Sequence, residues 1–142
     1  FTSDNGPHNE SHHNLKRFNP AGPLKGIKRS LTDGGIRVPM IAWWPGRIAA
    51  GSESGHVAYF GDFMATAAEL AGAKLPPDRD SISFVPTLLG RPSEQVPHEF
   101  LYWEFHERGF SQAALYRGRW KGIRERDPHA RIALYDLQHD IG

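Results

Sequence analysis

The sequence contains no cysteine, which excludes disulfides, thiolate zinc sites and a cysteine nucleophile from this stretch. An excess of one charge is missing as well: a net charge of +1 gives no reason to expect nucleic acid or a membrane surface as partner. No apolar run approaches the length of a membrane-spanning helix. The chain opens on Phe1-Thr2-Ser3-Asp4, without Met and without a signal-peptide pattern. Such a start reads as the end of a strand, so a fragment is expected, and the missing targeting signals then carry no information.

What is present suffices for a core. Apolar residues make up 39% of the 142, against wholesale disorder and in the range of one ordinary domain or a piece of a larger one. Asp4-Asn5-Gly6-Pro7 is a turn sequence, and residues 8–26 follow as a polar loop rich in His, Asn, Pro and Gly. The apolar, β-branched and aromatic run at 36–44 predicts a buried strand closed by Pro45-Gly46, starting near Met40 because Pro39 cannot donate to a ladder. Residues 62–71 predict a helix, with Asp62 as N-cap, Phe63, Ala67 and Leu70 on its apolar face, and Gly72 as C-cap. A Pro-rich connection covers 73–98, with a short apolar turn at 84–89. Four short strands are expected at 100–105, 112–116, 119–124 and 132–135, separated by turns at Arg117-Gly118 and Asp127-Pro128. Together they form an antiparallel meander. The chain therefore divides into 1–97, the end of a larger α/β domain, and 98–142, a small antiparallel subdomain.

Three groups of residues carry chemistry. Asp4 and Asn5 put a carboxylate and an amide side by side past a strand end, oxygen donors suited to calcium or magnesium; taken alone, the same residues make an ordinary turn. Lys28 lies in Lys25-Gly26-Ile27-Lys28-Arg29, ahead of Gly34-Gly35, where cations and close-approaching backbone can hold an oxyanion; taken alone, that is also a solvated basic loop. His8, Glu10, His12 and His13 contain zinc-ligating types, but the loop lacks the fixed elements a zinc site needs, so proton donation or substrate contact is the better use of these histidines. His106 sits at a strand end, where it either faces a cleft or rests on the surface.

In order and spacing these segments resemble the formylglycine-dependent, arylsulfatase-like sulfatases of the alkaline-phosphatase-like superfamily. The likeness runs from Phe1-Thr2-Ser3-Asp4-Asn5-Gly6-Pro7-His8 through Gly22-Pro23-Leu24-Lys25-Gly26-Ile27-Lys28-Arg29, Gly34-Gly35-Ile36-Arg37-Val38-Pro39 and Trp44-Pro45-Gly46. It continues through 62–72, Arg117-Gly118-Arg119-Trp120-Lys121 and Leu134-Tyr135-Asp136-Leu137. The resemblance implies an α/β fold of which this is the C-terminal part, with a small antiparallel sheet at its end. It implies hydrolysis of a sulfate ester, with calcium as cofactor, Asp4 and Asn5 as calcium ligands and Lys28 contacting the sulfate. His8 and His106 are expected to contact the substrate, a sulfated small molecule or sulfated glycan. Export to a periplasmic, secreted or lysosomal compartment is the family's habit.

Three departures accompany the likeness. No Cys or Ser here stands in the Cys/Ser-x-Pro-x-Arg motif from which formylglycine is made, so the nucleophile is expected upstream and the chain alone is expected to be inactive. The aspartates that complete the family's calcium site are missing too and are likewise expected upstream. Thr32-Asp33 replaces the Tyr-Glu frequent before the paired glycines. Two other functions stand beside the sulfatase. Hydrolysis of phosphate or phosphonate esters by the same superfamily would call for more metal ligands, and Asp-Asn at 4 and 5 speaks for a single calcium. A noncatalytic carbohydrate-binding module on the sheet would explain the aromatics but not Asp4, Asn5 and Lys28.

Overall fold

The computed structural model describes residues 1–10, 13–107 and 109–141. These fall into two compact units: one made of 1–41 with 100–142, the other of 42–99.

The first unit is built on an antiparallel meander of β1 (Phe100–Glu104), β2 (Phe110–Tyr116), β3 (Trp120–Arg126) and β4 (Ala133–Asp136), hydrogen-bonded in that order. Register sets Trp103, Ala113, Ile123 and Ala133 in one row, and Leu101, Leu115, Lys121 and Tyr135 in the next. Because side chains alternate across a strand, these rows share one face. Leu31, Ala113 and Ile123 form its buried core, with Ile36, Trp103, Phe105 and Tyr135 packed around them. The expected Arg117-Gly118 turn is present: Arg117 (φ 48°) and Gly118 (φ 66°) are both left-handed, and the Arg119 N–H donates to the Tyr116 carbonyl at 3.1 Å. Two positive φ angles give the turn the twist that a β-ribbon needs.

The first 41 residues supply loops to this unit. The 8–26 loop contains one exposed helical turn, α1 (Leu15–Phe18), capped by the Asn14 side chain accepting from the Arg17 N–H. The buried strand expected at 36–44 does not form. Asp33–Ile36 is a helical turn instead, α2, and beyond it only Met40 is bridged, antiparallel to Thr2. Ile41 and Phe1 exchange backbone hydrogen bonds at 2.7 and 2.8 Å. A strand needs partners along its length, and Thr2–Met40 is the one bridge this run makes among the described residues; Met40, Ile41 and Trp43 are exposed.

The second unit centres on α3 (Asp62–Ala71), α4 (Val85–Leu88) and a 3-10 turn at Pro92–Glu94. Gly72 caps α3 in the left-handed conformation (φ 63°), as expected. Its N-terminus differs from expectation. Gly61 is the N-cap, and Asp62, fully buried, accepts from the backbone N–H groups of Tyr59 (3.0 Å) and Ile82 (2.8 Å) and from His98 Nε2 (2.9 Å). The buried face also differs: Asp62, Ala65 and Thr66 point inward, while Phe63, Ala67 and Leu70 are exposed. The Thr66 hydroxyl donates to the Asp62 carbonyl within the helix and accepts from the Phe84 N–H, so Asp62 and Thr66 both tie α3 to the 82–84 segment.

Candidate functional site

Three glycines allow the site's loops to meet. Gly6 is buried, and its N–H donates to the Gly35 carbonyl at 2.9 Å. A Cβ on Gly6 would overlap the Gly34 carbonyl; one on Gly34 would overlap the Gly26 carbonyl, and one on Gly35 the Ser30 carbonyl. The close approach read for the paired glycines is therefore made to the chain's own backbone, which folds the 25–30 segment over α2. The Lys28 N–H donates to the Pro7 carbonyl at 2.8 Å, and the Gly34 N–H to the Lys25 carbonyl at 2.8 Å. Backbone bonds thus hold the Asp4-Asn5 turn against the Lys28 loop.

Within this frame Asn5 is half-buried and Asp4 exposed. The Asn5 amide nitrogen is spent on the Gly6 carbonyl at 2.8 Å, so its oxygen remains available. Among the described residues neither the Asp4 carboxylate nor the Asn5 amide oxygen has a side-chain partner, and such an acid-amide pair fits a hard cation such as calcium. Among the described residues no group of three or more His, Cys, Asp or Glu side chains could hold a metal, so Asp4 and Asn5 are at most part of a donor set. His8 Nδ1 accepts from the Glu10 N–H at 3.2 Å, leaving Nε2 to carry the proton of the neutral ring. The His8 ring meets His13 edge-on at 4.3 Å; His12 lies outside the described residues. Lys28 Nζ is 3.8 Å from Glu10 Oε2.

His106 is not drawn into this cluster directly. Its ring is largely exposed, with Nε2 3.4 Å from Glu104 Oε2. Its neighbour Glu107, however, takes Arg29 Nε on both carboxylate oxygens at 2.9 and 3.0 Å, and Arg29 also donates to Glu10. That arginine holds the Glu10 carboxyl below the ordinary carboxylate range, with Lys28 adding to the effect. Two further groups escaped sequence reasoning. Lys121, 2% exposed, pairs with buried Asp33, and burial pushes its pKa down against the opposing pull of Asp33. This pair pins the Thr32-Asp33 variation to β3 and supplies the packing behind the Lys28 loop. A lysine at an alternating strand position was the only available signal.

The small antiparallel sheet and the loops before it form the C-terminal region of a sulfatase. Residues 27–142 match the family described as N-sulphoglucosamine sulphohydrolase, C-terminal, and the chain belongs to that family. It is similar to the N-acetylgalactosamine-6-sulfatase of Rattus norvegicus, 43% identical over 123 residues that cover 85% of this chain and 22% of that protein. It is likewise similar to the steryl-sulfatase of Homo sapiens, 40% identical over 124 residues, covering 84% and 20%. Among solved structures, one from a Bacteroides thetaiotaomicron locus for the metabolism of multiple glycosaminoglycans superposes with a TM-score of 0.71 at 29% identity, covering 98% of this chain and 32% of that one. The chain thus spans about a fifth of the length of the curated relatives it matches.

Proposed function

We propose that this chain serves in a sulfuric ester hydrolase, as the part that brings two calcium ligands, Asp4 and Asn5, and a sulfate-contacting lysine, Lys28, to the active site. One arrangement carries the reading: the Gly6–Gly35 and Lys28–Pro7 backbone bonds fasten the acid-amide turn to the lysine loop. A lone turn or a lone basic loop would need no such joint. Calcium, when bound, polarises the oxygens of the sulfate. Lys28 adds a point charge to the same group as negative charge develops on it. His8, whose neutral ring accepts at Nδ1 from the Glu10 N–H and carries its proton on Nε2, would hold a substrate hydroxyl through that N–H; as an imidazolium, which gives up the Glu10 bond, it would protonate the leaving oxygen. His106 is assigned to substrate contact. No residue of this chain fits a formylglycine precursor, so the nucleophile lies in another segment and the isolated chain is inactive. The kinship with an N-acetylgalactosamine-6-sulfatase supports a sulfated glycan as substrate, ahead of a small aryl sulfate.

The test is Lys28→Ala in the complete enzyme, assayed with an aryl sulfate and with a sulfated monosaccharide. Loss of one contact to the transition state lowers kcat/KM by ~10²–10³, and Lys28→Arg restores it only in part because the planar fork places its charge differently. Asp4→Ala must weaken calcium binding in the same preparation. Kinetics at the wild-type level for Lys28→Ala, with calcium affinity intact in Asp4→Ala, would make both loops structural and end this reading.

A further inference from the structure

Arg29, next to Lys28, bonds two carboxylates and has no part in the proposed chemistry. Its backbone is left-handed (φ 78°) although it is not glycine, a conformation that persists only where surrounding contacts over-determine it. Those contacts come from two distant segments. Glu107, 78 residues away in the connection between β1 and β2, accepts from Arg29 Nε with both oxygens. Glu10, 19 residues away in the loop after the Asp4-Asn5 turn, accepts from Arg29 Nη1. Glu10 is itself shared, its other oxygen lying 3.8 Å from Lys28 Nζ and 3.9 Å from His8 Nδ1. A guanidinium is suited to this work because its planar fork engages several carboxylate oxygens at fixed angles.

An ordinary surface ion pair contributes little and orders nothing. Here one arginine gathers three segments, each bearing or adjoining a proposed substrate contact: His8 two residues before Glu10, Lys28 next to Arg29, His106 next to Glu107. We propose that Arg29 is a positioning residue: clamped between Glu10 and Glu107, it holds the Glu10 carboxylate against Lys28 and ties the connection carrying His106 to the lysine loop. The proposal rests on the sulfatase reading and adds to it the device that fixes the substrate-contacting side chains relative to one another.

The left-handed backbone provides an unusually clean test. Arg29→Gly removes the clamp while giving position 29 the residue that its φ favours, so the loop is expected to keep its path and the melting temperature to hold. Glu107→Gln removes the charge from the other end without touching the loop. In the complete enzyme both variants are expected to lower kcat/KM for an aryl sulfate ~10- to 100-fold, the cost of small misplacement of catalytic contacts, chiefly through kcat. Arg29→Lys should recover only part of it, since an ammonium cannot span both carboxylates in the same geometry. If Arg29→Gly and Glu107→Gln keep wild-type kcat/KM, or if their loss merely follows the folded fraction, the inference is overturned while the sulfatase reading stands. A wild-type enzyme that turns over no sulfate ester is a different failure: it removes the functional reading, and this inference falls with it.

Discussion

Replacing Asp33 by Asn should destabilise the sheet unit by about 3–5 kcal/mol at neutral pH, and the loss should shrink as pH rises. The pair it breaks is buried on both sides, Asp33 at 8% and Lys121 at 2% exposure, and removing one partner of a buried ion pair costs about that much. An independent route gives a similar figure. Without its counter-ion Lys121 must either stay charged in an apolar setting, beside the Trp103 ring and the residual repulsion of Arg37, or release its proton. About 3.4 pH units separate a free lysine from pH 7, and at ~1.36 kcal/mol each neutralisation costs about 4.6 kcal/mol. The sign of the pH effect follows. Burial already lowers the Lys121 pKa in the wild type; in the variant it falls further, so between the folded and unfolded values the unfolded state binds more protons and stability climbs with pH. Urea unfolding of wild type and Asp33→Asn at pH 7 and pH 9.5 measures both quantities. Adding Lys121→Met, which removes the stranded charge and keeps the volume, should recover most of the loss. A change below about 1 kcal/mol with no pH slope would mean that water reaches the pair, and the reasoning from burial would fail.

Two further outcomes follow from single positions. Asp62→Ala strands the Tyr59 and Ile82 N–H groups and His98 at once; at about 1–3 kcal/mol per buried orphan, amide exchange at Tyr59 and Ile82 should accelerate by at least ~10-fold, and unchanged protection would contradict the anchoring role. Gly6→Ala forces a methyl group into the Gly34 carbonyl; calcium affinity at the proposed site of the complete enzyme should drop although neither proposed ligand has been altered, and an unaffected affinity would show the joint to be dispensable.

The elements that could be read from the sequence were those specified by local rules. The 62–71 helix with its Gly72 cap and the Arg117-Gly118 hairpin follow from short-range backbone preferences, and the meander follows from alternation and turn spacing. The 36–44 run shows where such rules stop: its composition is that of a strand, but the number of strand partners is not a local property. The N-terminus of α3 shows the same limit, since the groups that Asp62 and Thr66 bind lie up to 36 positions away. In the candidate site, Asp4, Asn5 and Lys28 were legible because turn chemistry and charge mark them. Arg29 is one cation among several in its segment, and its partner Glu107 cannot be found without knowing that the β1–β2 connection returns to the lysine loop.

The composition of the sheet unit also has a consequence for the order in which the protein can acquire its structure. Leu31 is buried against Ala113 and Ile123, and Asp33 finds Lys121 88 residues later. The whole 42–99 unit, which makes its own contacts, leaves the ribosome between the two halves. During synthesis Asp33 and Arg29 therefore precede Lys121 and Glu107, their partners in the sheet unit, by 88 and 78 residues. Closure over so long a separation is slow compared with the hairpins of the meander itself. The lysine loop thus gains its contacts to Lys121 and Glu107 only after β3 and the β1–β2 connection have been made.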